Sequence, residues 1–430
     1  MKLEINSQFE QALKLMEEGP GHVFITGKAG TGKSTLLKHF RENSKNAVVV
    51  LAPTGVAAVN IKGQTIHSFF RFRPDITPEK ARKIASRLGA DQELYKSLDA
   101  VVIDEISMVR ADLFDCIDQF LRIARNKKKT PFGGVRLVLI GDMYQLPPVV
   151  SQHEKDIFSQ YYTSPYFFAA EVYSSLQMTI IELEKVYRQK DERFVHLLNQ
   201  IRSNSIDEKG VAELNQHCCN TDALADEDTA TPHVVLTTTN AAADQVNSQK
   251  LSSIKAKCQS YEGEVKGNFS EKDFPTELSL ELKLGAQVML LNNDSVGRWV
   301  NGTLGQVIKF GKEEVELKLE NGKEVTVQAN RWDIFRYELD GGALQASVVG
   351  SFTQLPLKLA WALTIHKAQG KTFEKVVVDL GRGTFAHGQA YVALSRCTSL
   401  AGMRLCKPLQ KRHVLVDQRV TQFLDSFQQS

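Results

Sequence analysis

Residues 27–37 read GKAGTGKSTLL. Gly27, Gly32, Lys33 and Ser34 stand at the spacing of a loop that wraps phosphate, and the apolar run HVFIT (22–26) before it reads as a strand. Glycines let successive backbone N–H groups turn inward, and the start of the following helix adds partial positive charge. A strand, a tight glycine turn and a helix are therefore required locally. Lys33 is expected to reach the β- and γ-phosphates of a nucleoside triphosphate, and the Ser34 hydroxyl to ligate Mg²⁺. The loop residues Gly27, Lys28, Ala29, Gly30, Thr31, Gly32, Lys33, Ser34 and Thr35 are the nucleotide-binding candidates.

The same rhythm continues downstream. AVVVLA (47–52), AVVID (100–104) and RLVLIG (136–141) read as buried strands of a parallel sheet. Helical spacing fills Lys33 to Phe40, Pro78 to Leu88 and Ala111 to Arg125 between them. This predicts a doubly wound α/β domain. A second α/β rhythm is expected from MTIIEL (178–183), HVVLTTT (233–239), SVVGSF (347–352), KVVVDL (375–380) and MRLCK (403–407). From about residue 270 to 345 the pattern changes to short alternating strands with glycine turns, which predicts a small antiparallel barrel inserted in the second domain. The acidic stretch TDALADEDTATP (221–232) reads as a solvated loop.

With 430 residues, 42% of them hydrophobic and 24% charged, the chain has room for about two to four ordinary globular domains. A net charge of +3 admits a nucleic-acid partner without arguing for one. The six cysteines, Cys116, Cys218, Cys219, Cys258, Cys397 and Cys406, form no CxxC pair and are expected to be reduced thiols. The amino-terminal residues lack the apolar core of a signal peptide, and no run of 18 apolar residues occurs. A cytoplasmic protein, if bacterial, with no membrane partner is the expectation.

VVIDEIS (101–107) ends an apolar strand in two adjacent carboxylates. Asp104 is the metal-side candidate and Glu105 the candidate general base for an attacking water. In chain order the sequence then carries GKAGTGKS, APTGVAAVNIKGQTIHSFF (52–70), VVIDEIS, LIGDMYQLPPV (139–149), VYRQ (186–189), LTIHKAQGKTF (363–373) and YVALSRCTS (391–399). This series resembles the superfamily-one helicases of class B, which move 5′ to 3′. It is most similar to the petite-integration-frequency (Pif) DNA helicases, whose signature stretch resembles FDCIDQFLRIARNKKKTPFGGVRLVLIGD (114–142).

The resemblance implies two RecA-like P-loop domains with an SH3-like β-barrel inserted in the second. The first would occupy 1–175, with a small wedge insertion near 62–75. The second would occupy 176–269 and 346–430, and the barrel 270–345. It implies a helicase core without terminal extensions, acting as a monomer. It further implies that Gln8 reads adenine, a role for which Gln11 competes, and that Gln145 senses the γ-phosphate and attacking water. Arg188 and Arg396 match two arginines that close on the γ-phosphate from the second domain, although an isolated arginine is ordinarily a surface ion-pair partner. Gln369 and Gly370 are placed nearer the nucleotide cleft.

The strand contacts follow from chemistry as well. Pro53, Thr54 and Gly55 end a strand, where ligand crevices form in open α/β sheets. Thr65, His67 and Ser68 follow, and FFRFR (69–73) alternates aromatics with arginines. Phe69 and Arg71 are thus candidates for base stacking and phosphate neutralisation, with a core position for Phe69 and Phe70 as the competing account. In the second domain Thr239, Asn240, Thr364, His366 and Lys367 are the matching phosphate donors. NKKK (126–129) is either a solvated loop or a duplex contact.

The expected activity is ATP-dependent translocation on single-stranded DNA with unwinding of forked duplexes. The family resemblance raises G-quadruplexes and RNA–DNA hybrids as further substrates. Two other accounts compete. One is a RecD-like subunit of a recombination complex, and the other is a nucleotide-gated DNA-binding switch that does not translocate.

Overall fold

The computed structural model describes residues 6–19, 21–150, 152–189, 191–217, 233–340, 343–381, 383–384 and 386–428. The acidic stretch at 221–232, Cys218 and Cys219 lie outside the described residues. Two parallel sheets organise the chain. The first has six strands in the order Gln64–Thr65, Val48–Ala52, Ala100–Ile103, Arg136–Ile140, His22–Gly27, Met178–Leu183. All five pairings are parallel. The second has four strands, Ala362–Thr364, Val234–Thr237, Val376–Asp379 and Met403–Leu405, again all parallel.

Burial on both faces explains the continuous apolar runs of the central strands. On one face of the first sheet Val23, Ile25, Val102 and Val138 meet Phe9, Ala12 and Met16 of helix Ser7–Glu18 and Leu36, Leu37 and Phe40 of helix Lys33–Asn43. On the other, Phe24, Val49 and Val101 meet helix Ala111–Ala124. That helix carries two buried aspartates. Asp118 accepts from Phe132 N at 2.7 Å and is paired with Arg122 at 2.6 Å, while Asp115 accepts from the backbone N–H groups of Glu171 and Val172. The stretch from 114 to 142 thus anchors two loops on the back of the sheet.

Four placements correct the sequence expectations. MTIIEL (178–183) pairs with His22–Gly27 and is an edge strand of the first sheet, not a strand of the second. Its burial alternates, with Ile181 and Leu183 inward, which is how an edge strand covered on one side reads. SVVGSF (347–352) belongs to Ala343–Gln354, which runs antiparallel to Asn330–Asp340 and Glu264–Gly267. There Phe352 stacks on Phe274 and Trp332 instead of lying between helix layers. The strand Ala362–Thr364, hidden inside a motif, takes the expected place. Helix Gln418–Gln428, expected in the second domain, packs on the first: Phe423 stacks on Phe168 at 4.2 Å between ring centroids.

The antiparallel part contains a five-stranded sheet ordered Glu324–Gln328, Glu314–Leu319, Leu304–Phe310, Gln287–Leu290, Leu357–Leu359. A two-stranded ribbon joins Ser279–Lys283 to Cys258–Glu262. Antiparallel pairing therefore extends beyond 270–345 on both sides. The hairpin Asn330–Gln354 reaches back to the first sheet, where Tyr337 is buried, accepting through its hydroxyl from Val50 N at 3.1 Å and donating its N–H to Gln64 Oε1 at 3.3 Å. Cys116, Cys397 and Cys406 are buried free thiols and Cys258 is exposed. Among the described residues no helix is long and apolar enough to cross a membrane.

Candidate functional site

The phosphate-loop candidates follow strand His22–Gly27 at the carboxyl edge of the first sheet. Gly30 and Gly32 adopt φ of 83° and 89°, conformations that glycine enters without a Cβ penalty. A Cβ on Gly30 would also lie 2.5 Å from that of Arg188, so VYRQ (186–189) crosses directly over the loop, and Tyr187 N donates to Gly30 O at 2.8 Å. Lys33 Nζ rests on the loop's own carbonyls, 2.6 Å from Gly27 O and 3.0 Å from Lys28 O. Burial lowers its pKa, opposed by the charges of Asp142 and Glu105. Thr31 is buried and donates to Lys28 O at 2.9 Å; Ser34 and Thr35 are exposed on the first helical turn.

Asp104 and Glu105 close strand Ala100–Ile103, Asp104 buried and Glu105 at φ 50°, uncommon for a residue with a side chain. Burial, with the Glu105 charge beside it, pushes the Asp104 carboxyl up to about 7. Burial raises Glu105 too, against the pull of Lys33 and Arg396. A divalent cation suits this pair: two adjacent carboxyls held high by burial stand on the strand next to the phosphate loop's neighbour, with the exposed Ser34 hydroxyl on the helix start.

The second sheet supplies the opposite wall. Gln369 Nε2 donates to Glu105 Oε2 at 3.1 Å and to Gln145 Oε1 at 3.0 Å. Arg188 Nη1 donates to Ser395 O at 3.3 Å. Arg396, only 1% exposed, donates to Val392 O, Lys371 O and Ser395 Oγ at 2.9, 3.3 and 2.8 Å. Burial, reinforced by Arg188, lowers its pKa to about 9. Lys33, Glu105, Gln145, Arg188 and Arg396 thus converge in one cleft. Gly370, at φ 79°, has no heavy atom within 4 Å of where a Cβ would stand and is exposed beside it. Gln8 Oε1 accepts from Glu184 N at 3.2 Å, on the helix that precedes the loop strand, while Gln11 is exposed.

Sequence reasoning missed a buried hub in this cleft. Asp142 Oδ2 accepts from the Tyr391 hydroxyl at 3.2 Å and from Gln145 Nε2 at 3.4 Å. The same Tyr391 oxygen accepts from Ala29 N at 2.9 Å, tying the second sheet's helix Gln389–Leu394 to the phosphate loop. Arg202 Nη2 lies 3.3 Å from Asp142 Oδ1. Asp142 and Tyr391 stood within motifs already singled out, whereas Arg202 ends an amphipathic helix, where an arginine ordinarily signals nothing beyond a favourable helix end.

The strand-contact candidates occupy equivalent positions on the two sheets. Thr54, Thr65, Thr239 and Thr364 follow or end parallel strands, and each hydroxyl caps the next turn, accepting from Ala57, Ser68, Ala242 and Lys367 N respectively. Ala52 pairs with Thr65, and Thr237 with Thr364, so each sheet brings two capped turns together at its carboxyl edge. Pro53 leads into Thr54, and Gly55 must lack a side chain because Asp273 occupies the space of its Cβ. Ser68, Asn240 and Lys367 are exposed, His67 and His366 half-buried, each with its pKa lowered by burial. Arg71 is paired with Asp91 at 2.7 Å. Phe69 is corrected: at 3% exposure it packs on Phe70 and Tyr95 and presents no face for a base. Phe70 and Phe72 are core residues as well.

A glycine-rich loop at the carboxyl edge of one parallel sheet, with Arg188 and Arg396 between it and a second parallel sheet, defines a two-lobed architecture of the P-loop class. Comparison with known proteins narrows the class. The PIF1-like helicase model matches residues 4–211, and that of the DNA helicase Pif1 2B domain matches 270–310. The chain is 35% identical over 418 residues to the human ATP-dependent DNA helicase PIF1, covering 94% of this chain and 61% of that protein. It is 32% identical to ATP-dependent DNA helicase Pif1 of Bdellovibrio bacteriovorus, covering 99% of this chain and 93% of the relative. Bacteroides Pif1 in complex with ADP-AlF4 superposes with a TM-score of 0.91 at 33% identity, covering 100% of this chain and 98% of that one. The same Bacteroides protein bound to ssDNA superposes at 0.68, with the same coverage. The chain belongs to the PIF1-like helicase family. It spans about three-fifths of the length of the human relative.

Proposed function

We propose that the chain is an ATP-driven DNA helicase that moves 5′ to 3′ along single-stranded DNA and parts forked or tailed duplexes, acting as a monomer. The observation that carries this is Gln369. It follows the capped turn of Thr364, His366 and Lys367, and its amide joins Glu105 to Gln145 across the cleft. A group on the strand-contact side thus holds the two residues that would manage the attacking water.

In this reading the N–H groups of the phosphate loop and Lys33 bind the phosphates, and Gln8 the adenine. Ser34 and Asp104 would hold Mg²⁺, which would neutralise phosphate charge. Glu105 accepts the proton of the attacking water and Gln145 orients that water. Arg188 and Arg396 offset charge developing on the γ-phosphoryl group, an effect of about 10³ to 10⁵ in rate for such arginines. Arg396 must leave its resting partners Val392 and Lys371 to do so, which couples hydrolysis to closure of the lobes. The four threonine-capped turns, with His366 and Lys367, bind strand phosphates, one pair on each lobe, so closing and opening advances the strand. The Bacteroides relative bound to ssDNA supports this choice of partner.

The test is ATP hydrolysis with and without single-stranded DNA, followed by unwinding of duplexes carrying a 5′ or a 3′ tail. Stimulated hydrolysis and unwinding from the 5′ tail alone is expected. Unwinding from the 3′ tail would refute the direction, and DNA binding without stimulated hydrolysis would favour the nucleotide-gated switch. G-quadruplex and RNA–DNA hybrid substrates belong in the same series.

A further inference from the structure

We propose that Arg202 is a positioning residue for the phosphate site: it holds the Asp142 carboxylate away from Lys33, leaving the lysine free for nucleotide phosphates. This deepens, and rests on, the nucleotide-cleft reading above.

Arg202 ends helix Glu192–Arg202, whose apolar face (Phe194, Leu197, Leu198, Ile201) packs with the second sheet, yet its guanidinium crosses to the first. Nε and Nη2 lie 3.4 and 3.3 Å from Asp142 Oδ1, and Nη1 lies 3.3 Å from Glu182 Oε1. The plane sits over the Tyr144 ring at 4.5 Å from its centroid. An arginine at a helix end ordinarily keeps its charge in water; this one is 8% exposed and its position is set by two carboxylates and a ring.

Asp142 is 1% exposed, and a buried carboxylate is retained only when it is paired and hydrogen-bonded. Its two oxygens divide the work. Oδ1 faces Arg202 and also accepts from Tyr144 N at 3.2 Å, and Oδ2 accepts from Tyr391 and Gln145. Lys33 is the neighbouring cation, close enough for the Asp142 charge to act on it, and among the described residues its ammonium donates to two loop carbonyls, both neutral. Without Arg202, the uncompensated carboxylate would draw that ammonium, and Lys33 would be lost to the phosphates. Tyr391 would still hold Asp142 and Ala29, so the loop itself would remain in place. The defect would therefore fall on nucleotide affinity.

Binding of a fluorescent ADP and of a fluorescent non-hydrolysable ATP analogue to the full chain tests this, with melting midpoint and single-strand affinity as folding controls. Arg202→Gln should weaken binding by about tenfold or more, as expected on truncating one partner of a buried charge pair. Asp142→Asn should cost less, because Glu182 still faces Arg202, and the double variant should bind like Asp142→Asn to within about threefold, since no carboxylate is left to capture Lys33. In steady state Arg202→Gln should raise KM for ATP more than it lowers kcat. If Arg202→Gln does not fold, Arg202→Lys takes its place, with a smaller loss that Asp142→Asn again relieves. A double variant as weak as the single, or an Arg202 variant that binds like wild type, would overturn the proposal. Wild-type protein that binds neither nucleotide would overturn the cleft reading itself, and this proposal with it.

Discussion

Gln369 donates from one amide nitrogen to Glu105, 3.1 Å away, and to Gln145, 3.0 Å away, although it belongs to the other sheet. Both amide hydrogens are thereby used, one on each residue. Movement of the turn from Thr364 to Gly370 must then be felt at Glu105. A hydrogen bond to a charged group contributes about 1.5–3 kcal/mol, so Gln369→Ala should reduce single-strand-stimulated turnover about 10- to 100-fold. Fluorescent nucleotide affinity should change far less. Stimulation that survives in this variant would break the proposed link.

Asp104 carries a pH signature. Its carboxyl rises from 3.8 to about 7, burial first and Glu105 second. A carboxyl whose pKa is raised on folding favours the folded state below its unfolded pKa, and that contribution is lost as pH rises through the folded value. Between about pH 4 and 7 the metal-free protein should therefore lose stability from this site. One pKa unit amounts to about 1.4 kcal/mol, and Glu105 shares the effect, so Asp104→Asn should stabilise the nucleotide- and metal-free protein by about 2 kcal/mol at pH 8. At pH 4 the gain should vanish. Denaturant titrations at both pH values, in chelator, make the comparison. Equal effects at the two values would remove the charge from the account.

The cleft was legible because its residues sit in short motifs at fixed distances from strand ends. Strand–loop–helix chemistry at 22–43 and the carboxylates after 103 need no long-range information. What escaped was decided by partners far away in sequence. Met178–Leu183 reads as an apolar run in any sheet, and only pairing with His22–Gly27 assigns it to the first. The run at 347–352 has the same composition whether two helix layers or Trp332 and Phe274 cover it. Arg202 is indistinguishable in sequence from a solvent-facing helix-end arginine. The aromatic repeat at 69–73 offered stacking and core accounts equally, and burial against Tyr95 and Phe120, residues 25 to 50 positions away, selects the core.

Backbone tracking makes binding salt-dependent. The candidate contacts are threonine hydroxyls, turn N–H groups, His366 and Lys367, with no aromatic platform at Phe69. Affinity for single strands should accordingly fall with a log–log slope near −0.7 per phosphate neutralised by a cation, so Lys367, the one full charge among these contacts, sets a shallow slope of about −1, and Lys367→Ala should flatten it. Fluorescence anisotropy of a labelled oligonucleotide across a salt series measures it. A flat response would mean that Lys367 does not neutralise a phosphate and would leave stacking as the stronger account.

Phe69 separates those two accounts directly. Its ring lies 4.9 Å from Phe70, 5.3 Å from Tyr95 and 6.0 Å from Tyr337, in each case edge to face, and the Tyr95 hydroxyl donates to its carbonyl at 2.8 Å. Phe69→Ala would open a cavity where the stretch 64–72, the first sheet and the hairpin at Tyr337 meet. Removing a buried phenylalanine costs about 3–5 kcal/mol, so the denaturation midpoint should fall clearly. Well below that midpoint, the slope of affinity against salt should be unchanged and affinity nearly so. Thr65→Ala, by contrast, removes only a helix cap worth about 1 kcal/mol but deletes a proposed phosphate contact. It should spare stability more than Phe69→Ala does and weaken strand binding more. If Phe69→Ala instead lost strand affinity at unchanged stability, the ring would have to leave its core site to meet a base, and the threonine-capped turns would no longer suffice as the track.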